Sequence, residues 1–256
     1  MKATFTFVKK EITEQIRSGR LLIILALFFL LGVMNPLVAK LTPWLLETLS
    51  DSMAESGMTV TLVKISAMDS WVQFFKNMPI ALVAFVLLQS AIFTREYSSG
   101  TLLLSLTKGL HRFKVIVAKA FVLFAVWSVG YWLCFGITYL YNDIFWDNAV
   151  AKSLLPSCLY WWLFGVFTVS LITLFSTLCA TNTGVLVGTG STVLFSYLVG
   201  LLPKINRYLP TFLTDGNSLI YGVLGGKAYA VAVVVTVLLT VLCFVVSVPI
   251  FNKKQL

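Results

Sequence analysis

The sequence predicts an all-α integral membrane protein with six transmembrane helices, from its composition and from the length of its apolar stretches. Of its 256 residues, 59% are hydrophobic and 11% are charged, and the mean hydropathy is +0.93. A helix needs about 20 apolar residues to cross the hydrocarbon core of a bilayer. The stretches of about that length or longer are residues 21–39, 71–93, 115–140, 155–178, 184–202 and 228–250. We therefore treat residues 1–256 as a single transmembrane domain.

The 20 residues before the first span predict a helix at the membrane surface. Apolar residues recur there at steps of three and four, which places them on one helical face: Phe5, Val8, Ile12 and Ile16. The other face is charged and carries Lys9, Lys10, Glu11, Glu14 and Arg17. An amphipathic helix of this kind lies in the headgroup plane. A secretory signal would begin its apolar core almost at once, so residues 1–20 are not predicted to be one.

The first two spans carry signals for where they end. Asn35 and Pro36 predict a kink or an end near the outer side of the first span, because proline removes a helical hydrogen bond. Residues 40–70 are then expected to form a polar outer loop. Trp71 is predicted to anchor the second span at the interface, and Lys76 to extend its ammonium group outward.

The last two spans and their connection have features of their own. Gly184 and Gly188 open the fifth span, and small residues at this spacing let helix backbones approach closely. We predict a helix-packing face directed at a second subunit, although apolar helices are often glycine-rich without such a role. Residues 203–227 contain Pro203, Pro210 and apolar pieces that are too short to cross a bilayer. Such chain is tolerated at membrane depth where protein or a water-filled cavity covers it.

The distribution of charge predicts the orientation. With six spans, both termini and residues 94–119 lie on one side, which holds twelve basic and three acidic residues. The other side holds seven of each, so the whole net charge of +9 belongs to the first side. The excess of lysine and arginine assigns that side to the cytoplasm. Because the cations follow membrane topology rather than one soluble face, we predict no nucleic-acid partner.

The polar segment between the second and third spans has the most ordered pattern in the chain. It begins with Glu96, continues through Gly100 and Thr101, and ends at Lys119. Between them lie a leucine run and a basic group: Leu102, Leu103, Leu104, Leu106, Lys108, His111, Arg112 and Lys114. The Thr101 hydroxyl is suited to capping a helix that starts there, and Gly109 to ending it. The pattern predicts a short, leucine-faced surface helix that fits a partner protein's groove.

This spacing resembles the cytoplasmic loop of type-2 ABC exporter permeases. That family typically shows an acidic residue, a Gly-Thr pair, a leucine-rich turn, a Pro-x-x-Arg and a lysine. The matching positions here are Glu96, Gly100, Thr101, Arg112 and Lys119, while Gly109 stands where proline is common in the family. The variant around residues 108–114 is similar to that of bacterial exporters of peptides and small toxins.

The resemblance implies roles for individual segments. Residues 1–20 would be an interfacial elbow helix, and residues 94–114 a loop containing the coupling helix. The residues implied in coupling to an ATPase are Glu96, Gly100, Thr101, Leu103, Leu104, Arg112 and Lys119. In this hypothesis Glu96 holds the start of the coupling helix, and Arg112 and Lys119 hold it against the bilayer and the third span. Residues 203–227 would contain re-entrant segments of an outer gate, with Pro203, Pro210 and Leu213.

The resemblance also implies partners and a location. Two copies of an ABC ATPase subunit would bind ATP and Mg, and this chain would bind no cofactor. A second permease copy or a paralogue would complete the path. The apolar, uncharged spans suit an amphipathic or hydrophobic cargo such as a peptide, a toxin or an antimicrobial compound. The chain would lie among the lipids of the bacterial cytoplasmic membrane, with both termini in the cytoplasm.

Several kinds of chemistry have no residues to support them. The predicted spans contain no Asp, Glu or His, and the sequence has no H-E-x-x-H motif and no credible nucleophile–base pair. The single Gly-Lys pair, Gly226 and Lys227, lacks the upstream glycine of a phosphate-binding loop. The four cysteines form no C-x-x-C pair or metal-ligand spacing and are interpreted as buried apolar residues. We predict no catalytic residue, no metal site and no ATPase site.

Two alternatives remain open. One is an ATP-independent secondary carrier or channel, which the missing intramembrane charges and the lack of internal repeats disfavour. The other is a membrane-anchored immunity or assembly protein that transports nothing and functions without an ATPase partner.

Overall fold

The computed structural model describes residues 2–55, 65–102, 107 and 111–254. Within these ranges the regular structure is entirely helical, and six helical segments are long and apolar enough to cross a membrane. They are Arg20–Trp44, Ala67–Ser99, Arg112–Phe145, Leu154–Leu178, Asn182–Gly200 and Gly226–Lys253. The predicted fold class, an all-helical protein with six candidate membrane spans, is confirmed.

Two N-terminal helices meet at a sharp turn. Helix α1 covers Lys2–Arg17 and helix α2 covers Arg20–Glu55. Gly19, which lies between them, has a φ of +71°, a left-handed conformation that glycine adopts without steric cost. Helix α1 presents three faces. One packs on the protein, one is charged, and one exposes Phe5, Ile12 and Ile16.

Of the two outcomes predicted for Asn35 and Pro36, a kink or an end of the first span, the end does not occur. Helix α2 continues through both Pro36 and Pro43, so residues 40–55 are helical rather than part of a loop. The reason is that a neighbouring helix satisfies the carbonyl that Pro36 cannot bond: Gly32 O accepts a hydrogen bond from Thr138 Oγ1 at 3.1 Å. The Asn35 side chain adds support by accepting a hydrogen bond from Asn77 (2.8 Å) and donating one to Thr138 (3.0 Å). Membrane helices tolerate proline where packed neighbours compensate in this way. Residues 56–64 lie outside the described ranges.

The second span consists of two helices joined end to end. Helix α3 covers Ala67–Gln89 and helix α4 covers Ala91–Ser99, with Ser90 at the junction. Gly100 ends α4 with a φ of +67°. The chain is therefore still helical at residues 94–99, which the sequence assigned to the coupling loop.

Trp71 is not at the lipid interface. It is completely buried, and its indole Nε1 donates a hydrogen bond to Asn148 Oδ1 at 3.1 Å. A buried tryptophan needs a partner for its N–H, and the polar turn after the third span supplies one. Lys76, in contrast, is exposed, in agreement with the prediction.

The remaining long helices complete the bundle. They are α5 (Arg112–Phe145), α6 (Leu154–Leu178), α7 (Asn182–Gly200) and α10 (Ala230–Lys253). Helix α5 packs mainly on α2, and α10 packs mainly on α6. Helix α7 is the least buried of the six candidate spans.

Short helices fill the connection between α7 and α10. They are α8 (Pro203–Asn206) and α9 (Gly216–Ile220), together with 3₁₀ turns at Pro210–Thr214 and Gly226–Tyr229. Pro203 is exposed, whereas Pro210 and Leu213 are buried. The Thr214 carbonyl accepts a hydrogen bond from Trp161 Nε1 at 2.9 Å, which ties this connection to α6. A role of Pro203, Pro210 and Leu213 in an outer gate stays a prediction.

Gly184 and Gly188 lie next to helix α6 of the same chain. A Cβ at Gly188 would stand 2.3 Å from the Phe175 ring, and one at Gly184 would stand 2.9 Å from Cys179. The close packing expected of small residues is therefore present within the chain. A role for this pair at a second subunit stays a prediction.

Candidate functional site

Four charged side chains gather where α1, α4 and α5 meet. They are Lys10 and Glu11 on α1, Glu96 on α4 and Lys119 on α5, and we call them the charge cluster. Glu11 is 2% exposed, Glu96 3% and Lys119 0%. Charged residues are almost never buried to this degree unless they are paired. Three helices that are distant in sequence thus share one buried electrostatic contact.

Lys119 lies at the centre of the charge cluster. Its Nζ is 2.8 Å from Glu11 Oε2 and 3.0 Å from Glu96 Oε2. It also donates a hydrogen bond to the Ile92 carbonyl at 2.9 Å. One ammonium group therefore holds carboxylates from two other helices and the backbone at the start of α4.

Lys10 closes the charge cluster on its exposed side. It forms an ion pair with Glu96 Oε1, and its Nζ is 3.6 Å from Glu11 Oε1. Two ammonium groups thus face two carboxylates, so the buried charge is balanced. The Phe7 ring lies beside both lysines, 5.0 Å from Lys10 Nζ and 5.8 Å from Lys119 Nζ.

The balance of charges within the charge cluster bears on whether it has room for a metal ion. Burial raises the pKa of Glu11 above its ordinary value, and the attraction of Lys119 and Lys10 opposes this rise. The carboxylates of Glu11, Glu14 and Glu96 lie within 4.8 Å of one another, a spacing suited to a metal ion. However, two ammonium groups already neutralise Glu11 and Glu96, so the lysines take the place that a metal would need.

A second set of contacts ties the start of α5 to the end of α10. Arg112 Nη1 donates to three backbone carbonyls, at 2.8 Å to Phe251, 3.2 Å to Asn252 and 2.6 Å to Lys254. The last carbonyls of a helix have no partner within it, so a cation is favourable there. We call this contact the carbonyl clamp.

The end of α4 joins the same region. Tyr97 Oη donates to the Ser176 carbonyl at 2.9 Å, which links α4 to α6. Lys254 Nζ donates to the Cys179 carbonyl at 2.6 Å and lies 4.3 Å from the centre of the Tyr97 ring. Residues 100–111 are therefore preceded by α4 and followed by α5, whose side chains bind three other helices, α1, α6 and α10.

Replacing Arg112 with methionine is expected to loosen the end of α10. Three carbonyls would lose a charged donor, and hydrogen bonds to charged groups contribute about 1.5–3 kcal/mol. We expect trypsin to cleave after Lys253 and Lys254 several times faster in the variant, measured by mass spectrometry on membrane vesicles that expose this side. Lys114→Met, which removes a nearby cation outside the clamp, is the control. Equal cleavage of Arg112→Met and wild type would contradict the clamp.

Comparison with known proteins identifies the family. The sequence profile of the ABC-2 family transporter proteins matches residues 5–256. The chain belongs to this family. The resemblance to type-2 ABC permeases is thereby confirmed over nearly the whole chain. A search among curated proteins found no match. ABC-2 permeases are membrane transport components rather than catalytic domains, and they generally work with an ABC ATPase.

In this ABC-2 permease, the predicted coupling residues fall into four groups. Glu96 and Lys119 meet in the charge cluster, and Arg112 forms the carbonyl clamp. Gly100 ends α4, and the hydroxyls of Ser99 and Thr101 are 2.8 Å apart. Leu103 and Leu104 lie outside the described residues.

The structure shows contacts of the charged residues that the sequence did not predict. Glu96 binds Lys119 and Lys10, while its predicted hold on the coupling helix involves residues 103–106, which lie outside the described ranges. Arg112 contacts the end of α10, and Lys119 is buried against carboxylates, as a buried ammonium group requires. Their role in coupling to an ATPase stays a prediction.

Sequence reasoning missed Glu11. The helical period placed it on the charged face of α1, but Phe7, Glu11 and Gln15 are spaced by four residues and are all buried. Gln15 pairs with Gln89 through its side-chain amide at 2.8 Å. The sequence did contain a signal for this face: one aromatic and two polar residues recur at steps of four, which places them on the same side of the helix.

Proposed function

We propose that this ABC-2 permease is the membrane subunit of an ATP-driven exporter whose energy comes from a separate ATPase chain. The sequence has no phosphate-binding loop, so ATP and Mg would bind to the partner. Two ATPase copies and a second permease, identical or related, would complete the complex. The membrane would be the bacterial cytoplasmic membrane, with both termini on the cytoplasmic side.

The charge cluster is the observation that carries this proposal. An ATPase that pushes on residues 100–111 must move membrane helices rather than bend a loop. Glu96 lies four residues before Gly100, and its ion pairs with Lys119 and Lys10 join α4 to α5 and α1. Breaking a buried ion pair is costly because it leaves an uncompensated charge. In our proposal the elbow helix, α4 and the start of α5 therefore move together.

The carbonyl clamp extends the movement to the other half of the bundle. Arg112 holds the end of α10, and Tyr97 holds the end of α6. Displacement of residues 100–111 would thus act on four spans at one end. Coupling requires two arrangements of such an element, whose balance the nucleotide state shifts. The alternative arrangement would open a path for an amphipathic or hydrophobic cargo, such as a peptide or toxin, between two permeases.

The carrier alternative also has an observation in its favour. Glu96 is buried inside the candidate span Ala67–Ser99, whereas the span predicted from the sequence, residues 71–93, contains no carboxylate. Buried carboxylates of this kind serve as proton relays in secondary carriers. However, Glu96 lies near the end of its helix and is neutralised by two lysines, which suits a structural link better than a relay at mid-membrane.

Co-purification tests the exporter against the carrier. Tagged wild type, Leu103→Asp and Leu103→Met are isolated from gently solubilised native membranes, and ATP hydrolysis is assayed on each eluate. We expect an ATPase with a phosphate-binding loop to accompany wild type and Leu103→Met. Leu103→Asp should lose most of it, because a charge disrupts an apolar docking surface. Wild type that elutes without ATPase and without ATP hydrolysis would contradict the exporter and favour the carrier or the immunity protein.

A further inference from the structure

A groove of about 700 Å³ lies between α1 and α4, beside the charge cluster. Its charged lining consists of Lys9, Lys10, Glu14, Arg17 and Arg95. Lys10 is engaged with Glu96, as described above. In the part of the chain that the structure describes, Lys9, Arg17 and Arg95 form no ion pair with a carboxylate. We call this feature the basic groove.

The basic groove has the electrostatics of an anion site. Three exposed cations from two helices face a single half-buried carboxylate, Glu14, so the groove carries an excess of positive charge. Like charges on α1 and α4 repel each other across it, and an anion between them would remove that repulsion. The guanidinium groups of Arg17 and Arg95 are suited to binding phosphate oxygens in pairs.

The hydroxyl groups in the groove are less suited to this task. Thr13 Oγ1 donates to the Lys9 carbonyl at 2.8 Å, and Ser18 Oγ donates to the Gln15 carbonyl at 3.2 Å. Their protons are therefore already used by the backbone of α1. The cations would supply the hydrogen bonds to a ligand, which makes them the residues to test.

The surroundings of the groove indicate what kind of anion it takes. Ile12 and Ile16 on α1 are exposed and lie on the face next to Lys9 and Thr13. The first candidate span begins at Arg20, three residues after the end of α1. The groove thus lies where a span enters the bilayer, with apolar surface directly beside it. A phospholipid presents a phosphate and acyl chains in this arrangement.

We propose that the basic groove binds the phosphate of an anionic phospholipid, with acyl chains against the exposed apolar face of α1. The lipid would bridge Lys9 and Arg17 on α1 to Arg95 on α4. It would therefore fasten the elbow helix to the helix that precedes residues 100–111. This site depends on the membrane-spanning fold and not on an ATPase, so the co-purification experiment can fail while the lipid site stands.

The test measures lipid binding to the purified full-length chain. Native mass spectrometry counts bound phosphatidylglycerol, and thermal unfolding in detergent is followed with added phosphatidylglycerol or with phosphatidylcholine of the same chains. Wild type is compared with Arg17→Gln/Arg95→Gln and with the control Lys204→Gln/Lys227→Gln, which removes two cations from the opposite end of the bundle. A third arm adds glycerol 3-phosphate, the soluble headgroup without chains.

We expect phosphatidylglycerol to raise the melting temperature of wild type and of the control more than phosphatidylcholine does. The Arg17→Gln/Arg95→Gln variant should bind phosphatidylglycerol about 30-fold more weakly, because each of the two cations near a membrane surface contributes about fivefold. Unchanged melting in phosphatidylcholine would show that the variant is folded. Equal phosphatidylglycerol binding by variant and wild type would overturn the proposal. The same stabilisation by glycerol 3-phosphate alone would replace the lipid with a soluble anion and also overturn it.

Discussion

Lys119→Met is expected to lower the free energy of unfolding by about 3–5 kcal/mol, the usual cost of removing one partner from a buried ion pair. The variant leaves Glu11 and Glu96 facing each other with only the partly exposed Lys10 between them. Because burial already raises the pKa of Glu11, the loss of Lys119 would favour its protonated form still more. The Ile92 carbonyl would also lose its donor.

The effect is measured as a melting temperature in detergent, with size-exclusion chromatography reporting how much folded protein remains after heating. Lys76→Met, which removes an exposed lysine from another span, should unfold close to wild type. Adding Glu11→Gln to Lys119→Met should recover part of the loss, because it removes the buried carboxylate that would otherwise have only its 3.6 Å contact with Lys10, which also pairs with Glu96. A melting temperature of Lys119→Met equal to that of Lys76→Met would show that the charge cluster does not stabilise the protein.

Gly165→Ala is expected to be the most damaging single-methyl change in the bundle. A Cβ at Gly165 on α6 would stand 2.0 Å from the Trp127 indole of α5. Trp127 is fully buried and cannot retreat easily, since it contacts Phe28 and Phe85 and donates to the Trp162 carbonyl at 3.1 Å. Overpacking of a dense core costs about 1–3 kcal/mol, and this contact is at the severe end of that range.

The same unfolding assay, with Gly136→Ala as control, tests this contact. Gly136 lies in α5, and apart from the adjacent chain and backbone of its own helix no described atom lies within 4 Å of the position of its Cβ. Alanine there should be neutral or stabilising by up to about 1 kcal/mol, because alanine favours helix more than glycine does. Equal melting temperatures of the two variants would contradict the close packing of Gly165 on α6 against the Trp127 ring.

Local sequence signals predicted the membrane spans well because lipid imposes a simple rule. Every span needs enough apolar residues to cross the bilayer and must satisfy its backbone within a helix. The stretch 155–178, for example, corresponds to α6, Leu154–Leu178, almost residue for residue. The motif from Glu96 to Lys119 also pointed to the family, since its acidic, Gly-Thr, leucine and basic positions have a fixed order.

Tertiary contacts explain what the sequence could not predict. Proline often ends a helix. At Pro36, however, α2 continues, and the Asn35 side chain beside it accepts a hydrogen bond from Asn77 and donates one to Thr138. Tryptophan is typical of interfacial anchors, yet Trp71 is buried because Asn148, which is distant in sequence, accepts the hydrogen bond from its indole N–H. In the sequence, Glu11 is one of several charges on an amphipathic helix, and only the fold places Lys119 beside it. Each outcome depends on a residue more than 40 positions away.

In the proposed exporter, the charge cluster would transmit force from the ATPase, while the leucine-rich residues 102–106 would receive it. Docking and transmission can be separated, because the charge cluster lies outside the leucine run. Glu96→Gln keeps the leucines and weakens the link between α4 and the two lysines. Lys119 retains Glu11 as a partner in this variant, so the fold should persist. Asp143→Asn is the matched control, since Asp143 is exposed near the far end of α5 and forms no ion pair in the described residues.

The most direct measurement is the ATP hydrolysis rate of the co-purified complex in lipid nanodiscs, together with the amount of ATPase bound. We expect Glu96→Gln to retain the ATPase at the wild-type ratio but to lose most of the stimulation that the permease gives to hydrolysis. Asp143→Asn should behave as wild type in both respects. Full stimulation in Glu96→Gln, with the ATPase bound at the wild-type ratio, would contradict transmission through the charge cluster.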